Sequence, residues 1–136
     1  MKLLTLITGA ALFVAATTAI AAPAGMSGGV LADGKGMTLY IFDKDAPGTS
    51  NCYAGCAANW PPFVAKAGAS ADGDFSLVTR KDGAEQWAFK GMPLYYWAGD
   101  SKPGDTNGDG VGGVGRGEPA RLHVLLALQE DRTPAV

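Results

Sequence analysis

Apolar and polar residues alternate with a period of two through the middle of the chain. Residues 74–80 (DFSLVTR) and 85–90 (EQWAFK) both show this pattern, and the turn signal KDG at 81–83 separates them. A further aromatic run at 94–97 follows the turn residue Gly91. We therefore predict a meander of three antiparallel strands in this half of the chain.

Other apolar runs are equally short and lie between glycine-rich stretches. Residues 30–32 and 37–42 predict two further strands, and residues 122–130 alternate leucine and valine with other residues. The composition of 122–130 also suits a helix, but an all-β core needs a closing strand, so we predict a strand. Because strands this short with turns between them are typical of sandwiches and barrels, the predicted fold is all-β, a small barrel or sandwich.

The first residues predict export. Lys2 is followed by an apolar run to Ile20 and by an A-x-A sequence at 19–21. This order is typical of a signal peptide, and we place cleavage after Ala21. The alternative is a transmembrane anchor, for which the run is marginal in length. We expect a periplasmic or secreted protein of about 115 residues, a single domain over 22–136 with no membrane anchor.

The charged residues argue against one class of partner. The chain has 11 basic and 13 acidic residues, a net charge of −2, without basic clusters. This pattern argues against nucleic acid as a partner. An unknown envelope protein or a small ligand is left as the expected partner.

The same sequence occurs twice. Residues 36–45 are GMTLYIFDKD and residues 91–100 are GMPLYYWAGD. The period of about 55 residues predicts two repeats, over about 28–65 and 74–128. Since two copies are too few for an open solenoid, we expect a pseudo-twofold domain in which each repeat covers the apolar face of the other.

Both copies carry the motif Y-x-[FW]-x-x-D, and its residues are Tyr40, Phe42, Asp45, Tyr95, Trp97 and Asp100. With this motif the chain resembles a bacterial secreted repeat family of unknown function, predicted lipoproteins with a Y-x-[FWY]-x-x-D motif. The segment CYAGCAANWPPF at 52–63 and the glycine-rich DTNGDGVGGV at 105–114 resemble the same family. The resemblance implies tandem repeats and export, and no established activity.

This chain departs from the family pattern in two places. Members are often lipid-anchored, and here no cysteine stands directly after the apolar segment of the signal peptide, where a lipid would be attached. The insertion GRGEPARL at 115–122 separates the glycine-rich tail from His123.

The six motif residues admit two interpretations. A tyrosine and a turn aspartate could recur because the fold is duplicated, since a buried hydroxyl needs a partner and Asp at a strand end bonds nearby N–H groups. Alternatively, they could form an aromatic and carboxylate binding cleft between the repeats. The differences between the copies, Ile41 against Tyr96 and Lys44 against Gly99, are where a specialised function would be found.

The two cysteines, Cys52 and Cys56, predict a disulfide, because an even number of cysteines in an exported protein is typically paired. A redox-active pair is the alternative, although C-x-x-x-C is not the C-x-x-C spacing of reactive dithiols.

Asp105, Asn107 and Asp109 match the first positions of a calcium loop, but Arg116 stands where its bidentate glutamate belongs. We expect no cofactor apart from possible weak Ca²⁺ binding there. His123 is the single histidine, and no serine has the sequence context of a catalytic nucleophile. The sequence therefore favours a non-enzymatic binding or envelope-interaction protein, with a redox- or metal-linked envelope protein as the alternative.

Overall fold

The computed structural model describes residues 9–12, 22–111 and 117–119, the last three by their backbone alone. The predicted strand at 122–130, His123 and most of the predicted signal peptide lie outside these residues. Within the described ranges, no helix combines the length and the hydropathy that crossing a membrane requires.

Short strands dominate the described residues, which contain a single helix of five residues. The elements are β1 (Ala24–Ser27), β2 (Val30–Asp33), β3 (Tyr40–Phe42), α1 (Gly55–Asn59), β4 (Phe75–Thr79), β5 (Glu85–Phe89), β6 (Met92–Pro93) and β7 (Gly117–Pro119). The prediction of an all-β fold with two repeats is confirmed. The strands of the described part do not show a closed barrel. Helix α1 was not predicted.

The second repeat contains the predicted meander. Strands β4 and β5 are antiparallel, in register from Phe75↔Phe89 to Thr79↔Glu85, and β6 pairs with the end of β5. The third strand was predicted at 94–97, but β6 lies at Met92–Pro93. The reason is the tight turn at Lys90 and Gly91, both with positive φ, which returns the chain to β5 at once.

The first repeat has the same order. Strands β1 and β2 form an antiparallel hairpin whose turn residues, Gly28 and Gly29, both have positive φ. Positive φ at both positions matches the twist of a two-residue hairpin. Leu39 N then donates to Leu31 O at 2.9 Å, as Leu94 N donates to Trp87 O in the second repeat.

The two repeats interlock around a pseudo-twofold centre. Tyr40 N donates to Tyr95 O at 2.8 Å, and Tyr95 N donates to Tyr40 O at 2.9 Å. On its other side Tyr95 pairs with Pro62 of the first repeat, while Tyr40 pairs with Pro119 of β7. Each repeat therefore supplies its last strand segment to the other repeat.

Two apolar clusters lie on the two sides of this centre. The larger contains buried residues of both repeats: Ala24, Leu31, Leu39, Ile41, Phe75, Trp87, Phe89, Met92 and Leu94. The smaller is aromatic and includes the disulfide: Tyr40, Phe42, Cys52, Trp60 and Tyr95. Along β3, Tyr40 and Phe42 face one cluster and Ile41 the other, as the period of two requires.

Candidate functional site

The tyrosine of each repeat binds the aspartate of the other repeat. Tyr40 Oη donates to Asp100 Oδ2 at 2.6 Å, and Tyr95 Oη donates to Asp45 Oδ2 at 2.5 Å. Both tyrosine side chains are completely buried. The motif thus forms two reciprocal hydrogen bonds across the interlock.

The second oxygen of each aspartate has an equivalent partner as well. Asn51 N donates to Asp45 Oδ1 at 2.8 Å, and Asn107 N donates to Asp100 Oδ1 at 3.0 Å. These bonds fix the loop that follows each strand. The two environments differ in burial, because Asp45 is 8 % exposed whereas Asp100 is half-buried.

The remaining motif residues, Phe42 and Trp97, pack against Trp60. The Trp60 and Trp97 rings lie 4.5 Å apart between centroids, and those of Trp60 and Phe42 6.4 Å. Gly108 covers the indole pair, and a Cβ there would lie 2.8 Å from Trp97 and 2.9 Å from Trp60. Its backbone N donates to Tyr40 Oη at 3.2 Å. A binding role for the six motif residues stays a prediction.

Burial and carboxylate partners shift the tyrosine pKa values. Burial first, and then the hydrogen bond to Asp100, raises the pKa of Tyr40. The same two causes, with Asp45 as the partner, raise the pKa of Tyr95. Burial and the bond to Asp33 raise that of Tyr96. All three hydroxyls therefore stay neutral well above the ordinary tyrosine pKa of about 10.

Alkaline titration should show that these tyrosines ionise only on unfolding. The folded pKa of each of these tyrosines lies above its unfolded value. The stability that the neutral hydroxyls contribute is therefore fully present below a pH of about 10, and it is lost as pH rises through the folded pKa values. Tyrosinate absorbance of the native protein should therefore rise together with the loss of near-ultraviolet circular dichroism. Three of the four tyrosines ionising with tertiary structure intact would contradict this expectation.

A buried arginine at the end of β4 connects the repeats and was not predicted. Arg80 is 3 % exposed. Its Nη1 donates to Ser50 Oγ at 2.9 Å and to Gln86 Oε1 at 2.8 Å, and its Nη2 donates to Cys52 O at 2.7 Å. The guanidinium carbon lies 4.4 Å from the centre of the Tyr53 ring.

This network reaches the tyrosine and aspartate pair. Ser50 Oγ lies 2.6 Å from Tyr95 Oη, which in turn binds Asp45. Burial raises the pKa of Asp45, while the bonds from Tyr95 and Asn51 and the charge of Arg80 oppose that rise. A continuous polar chain therefore runs from Asp45 to Arg80 inside the protein.

The predicted disulfide is present between Cys52 and Cys56. Cys52 is fully buried in the aromatic cluster, and Cys56 is half-buried on α1. The bridge therefore fixes the turn at residues 52–56, and the Cys52 carbonyl of this turn accepts a hydrogen bond from Arg80. A redox role for this pair stays a prediction.

The predicted calcium loop uses its first carboxylate internally. Asp105 Oδ2 accepts from Ser101 N at 3.0 Å, from Ser101 Oγ at 3.2 Å and from Lys102 N at 3.2 Å. The bond from the Ser101 backbone is the main cause that lowers the pKa of Asp105. Among the described residues, no group of three or more His, Cys, Asp or Glu side chains is placed to hold a metal ion. Weak Ca²⁺ binding by Asp105, Asn107 and Asp109 stays a prediction.

A groove of about 470 Å³ has walls from both repeats and from the crossing segment, residues 63–69, which leads from the first repeat to the second. Its apolar walls are Pro23, Phe63, Val64, Ala69 and Trp87, and its charged residues are Asp33, Lys35 and Lys66. A smaller cavity of about 290 Å³ continues it along residues 67–72. The described lining includes none of the six motif residues.

A third tyrosine and aspartate pair supports the wall of this groove. Tyr96 Oη donates to Asp33 Oδ2 at 2.7 Å, and the Tyr96 ring packs against Phe63 with 5.6 Å between centroids. Ile41 occupies the position of Tyr96 in the first repeat and cannot form such a bond. Sequence reasoning missed Asp33 and Phe63, but the difference between Ile41 and Tyr96 was the signal that could have found them.

The strands, the hydrogen bonds between the repeats and the Cys52–Cys56 bridge define a disulfide-containing all-β protein of two interlocked repeats. A family model described as a secreted repeat of unknown function matches the chain twice, over residues 24–64 and 76–114. The matches cover more than half of the chain, so the protein belongs to this family. No curated protein and no solved structure matches it. The family and the disulfide both fit a secreted or extracellular location.

Proposed function

We propose that this protein is a non-enzymatic binding protein of the periplasm or the extracellular space, and that the groove is its ligand site. The groove itself carries the proposal. A volume of about 470 Å³ falls in the range of small-molecule sites, which are concave, mainly apolar and supplied with a few polar groups. A small ligand is therefore favoured over an envelope protein as the partner.

The construction of the walls supports a site that exists before the ligand binds. Phe63 N donates to Leu94 O and Trp87 N donates to Phe63 O, both at 2.9 Å, so the crossing segment is held to the second repeat. Tyr96 fixes Asp33 on the first repeat. A wall held in this way loses little conformational freedom on binding, which favours affinity.

An exposed valine allows a direct test of the groove. Val64 is an apolar wall residue and is 50 % exposed. A neutral apolar probe, Nile red, should bind saturably to the exported protein, and Val64→Asp should weaken binding by about tenfold or more because it places a charge in the groove. Fluorescence titration measures the affinity.

Met26 supplies the matched control. It is also 50 % exposed and apolar, but it lies on β1 outside the described lining. Met26→Asp makes the same change of charge and should leave Nile red binding unchanged. Absent saturable binding, or equal loss in both variants, would refute the groove as the site. If Val64→Asp does not fold, Ala69→Asp on the same wall replaces it.

A further inference from the structure

The charged residues of the groove determine which ligand it suits. Lys35 and Lys66 lie on its walls with Asp33. Both lysines are exposed, and neither forms an ion pair with any residue that the structure describes. Two ammonium groups beside an apolar surface are complementary to a ligand with an acidic group on an apolar body.

Asp33 keeps its negative charge and offsets one of the two lysines, which leaves a local excess of one positive charge, and protein donors already occupy both of its oxygens. Asp33 Oδ1 accepts from Lys35 N at 2.9 Å and from Met37 N at 3.0 Å, and Oδ2 accepts from Tyr96 Oη at 2.7 Å. These bonds direct the carboxylate towards its own turn and the Tyr96 hydroxyl. The lysines therefore keep their donors for a ligand.

The charge of the whole chain makes this local excess selective. The full sequence carries a net charge of −2, and removal of Lys2 with the predicted signal peptide leaves 10 basic and 13 acidic residues, so an anion is repelled weakly by the exported protein as a whole and attracted near the two lysines. An anion without an apolar part would gain only a screened surface interaction there. An apolar body packed on Phe63 and Trp87 adds the burial that exposed lysines alone cannot supply.

We infer that the groove binds small organic carboxylates with a compact apolar body, the carboxylate lying at Lys35 and Lys66 and the apolar body against Phe63, Val64 and Trp87. This inference rests on the proposed function and specifies its ligand class. The groove volume suits a body of one or two rings, and the small residues beside the lysines, Gly34 and Ala69, leave the ammonium groups accessible.

A pair of probes with matched shapes tests the inference. 1-Naphthylacetate and the neutral 1-naphthylacetamide share their apolar part and differ in charge. Calorimetry on the exported protein should show the carboxylate binding about tenfold more tightly than the amide, and high salt should reduce this preference. Lys35→Gln with Lys66→Gln should abolish the preference while amide binding is kept.

Lys44 provides the control for the lysine variants. It is exposed and outside the described lining, so Lys44→Gln removes one charge and should keep the preference.

The outcomes separate the ligand class from the proposed function. Equal binding of both probes, or a preference that survives the double lysine variant, overturns the carboxylate inference and leaves the groove as a site. If Nile red binds and neither naphthyl probe does, the ligand class is again overturned. If no probe binds, the proposed function also fails.

Discussion

Replacing Arg80 with methionine should strongly destabilise the protein. Arg80 donates to Ser50, Gln86 and the Cys52 carbonyl, and all of these acceptors are buried. Methionine fills similar space and leaves these acceptors unpaired. Each buried acceptor left unpaired costs about 1–3 kcal/mol, so the three together should cost about 3–5 kcal/mol once the relieved burial of the guanidinium is subtracted, a large part of the 5–15 kcal/mol of a typical domain.

Urea denaturation measures this loss as a shift of the midpoint at constant slope. The adjacent Lys81 is exposed, so Lys81→Met removes the same charge from the surface and should change stability by less than about 0.5 kcal/mol. An Arg80→Met protein as stable as the native one would show that the arginine is not what joins the second repeat to the disulfide turn.

Removing the Tyr95 hydroxyl should cost more than removing that of Tyr40, although the motif is the same. Tyr95→Phe takes a donor from the buried Asp45 and a partner from Ser50. Tyr40→Phe removes the longer bond from Gly108 N, and it leaves the half-buried Asp100 accessible to water. Hydrogen bonds to charged groups contribute about 1.5–3 kcal/mol, so we expect a loss near 3 kcal/mol for Tyr95→Phe and about 1 kcal/mol for Tyr40→Phe.

The pH dependence distinguishes this explanation from a loss of packing. Burial raises the pKa of Asp45 and the bond from Tyr95 opposes the rise, so Tyr95→Phe should raise it further. Because the folded pKa of Asp45 is raised, its protonated carboxyl contributes stability that is fully present below the unfolded pKa of about 3.9. This contribution is lost as pH rises through the folded pKa. The stability difference between native and Tyr95→Phe proteins should therefore narrow as pH falls through this window. An unchanged difference would contradict the role of Asp45.

Several features could be predicted from local patterns because they depend on neighbouring residues. The alternation in 74–80 and 85–90 predicted β4 and β5, since a period of two places one face of each strand on the core. The cysteine pair predicted the disulfide because an even number of cysteines in an exported protein is typically paired, and only three residues separate Cys52 from Cys56. The third strand was misplaced because the turn at Lys90 and Gly91 is shorter than expected.

Other features have no local signature. Arg80 ends a strand beside a charged turn, a position that predicts an exposed residue, and only acceptors from residues 50 and 52 make its burial possible. The groove joins a turn, a crossing segment and a strand that are far apart in sequence. No periodicity in any one of these segments indicates that they form one cavity.

The sequence by itself determined an all-β protein of two repeats with one disulfide, because alternation acts over a few residues and because the repeat and the single cysteine pair can be recognised without the fold. The tertiary structure decided how those repeats combine. Since both copies contain the same tyrosine and aspartate, the motif is equally compatible with bonds within a repeat and bonds between repeats. Packing Tyr40 beside Tyr95 directs each hydroxyl to the aspartate of the other repeat, and the same interlock brings Lys35 and Lys66 to one groove.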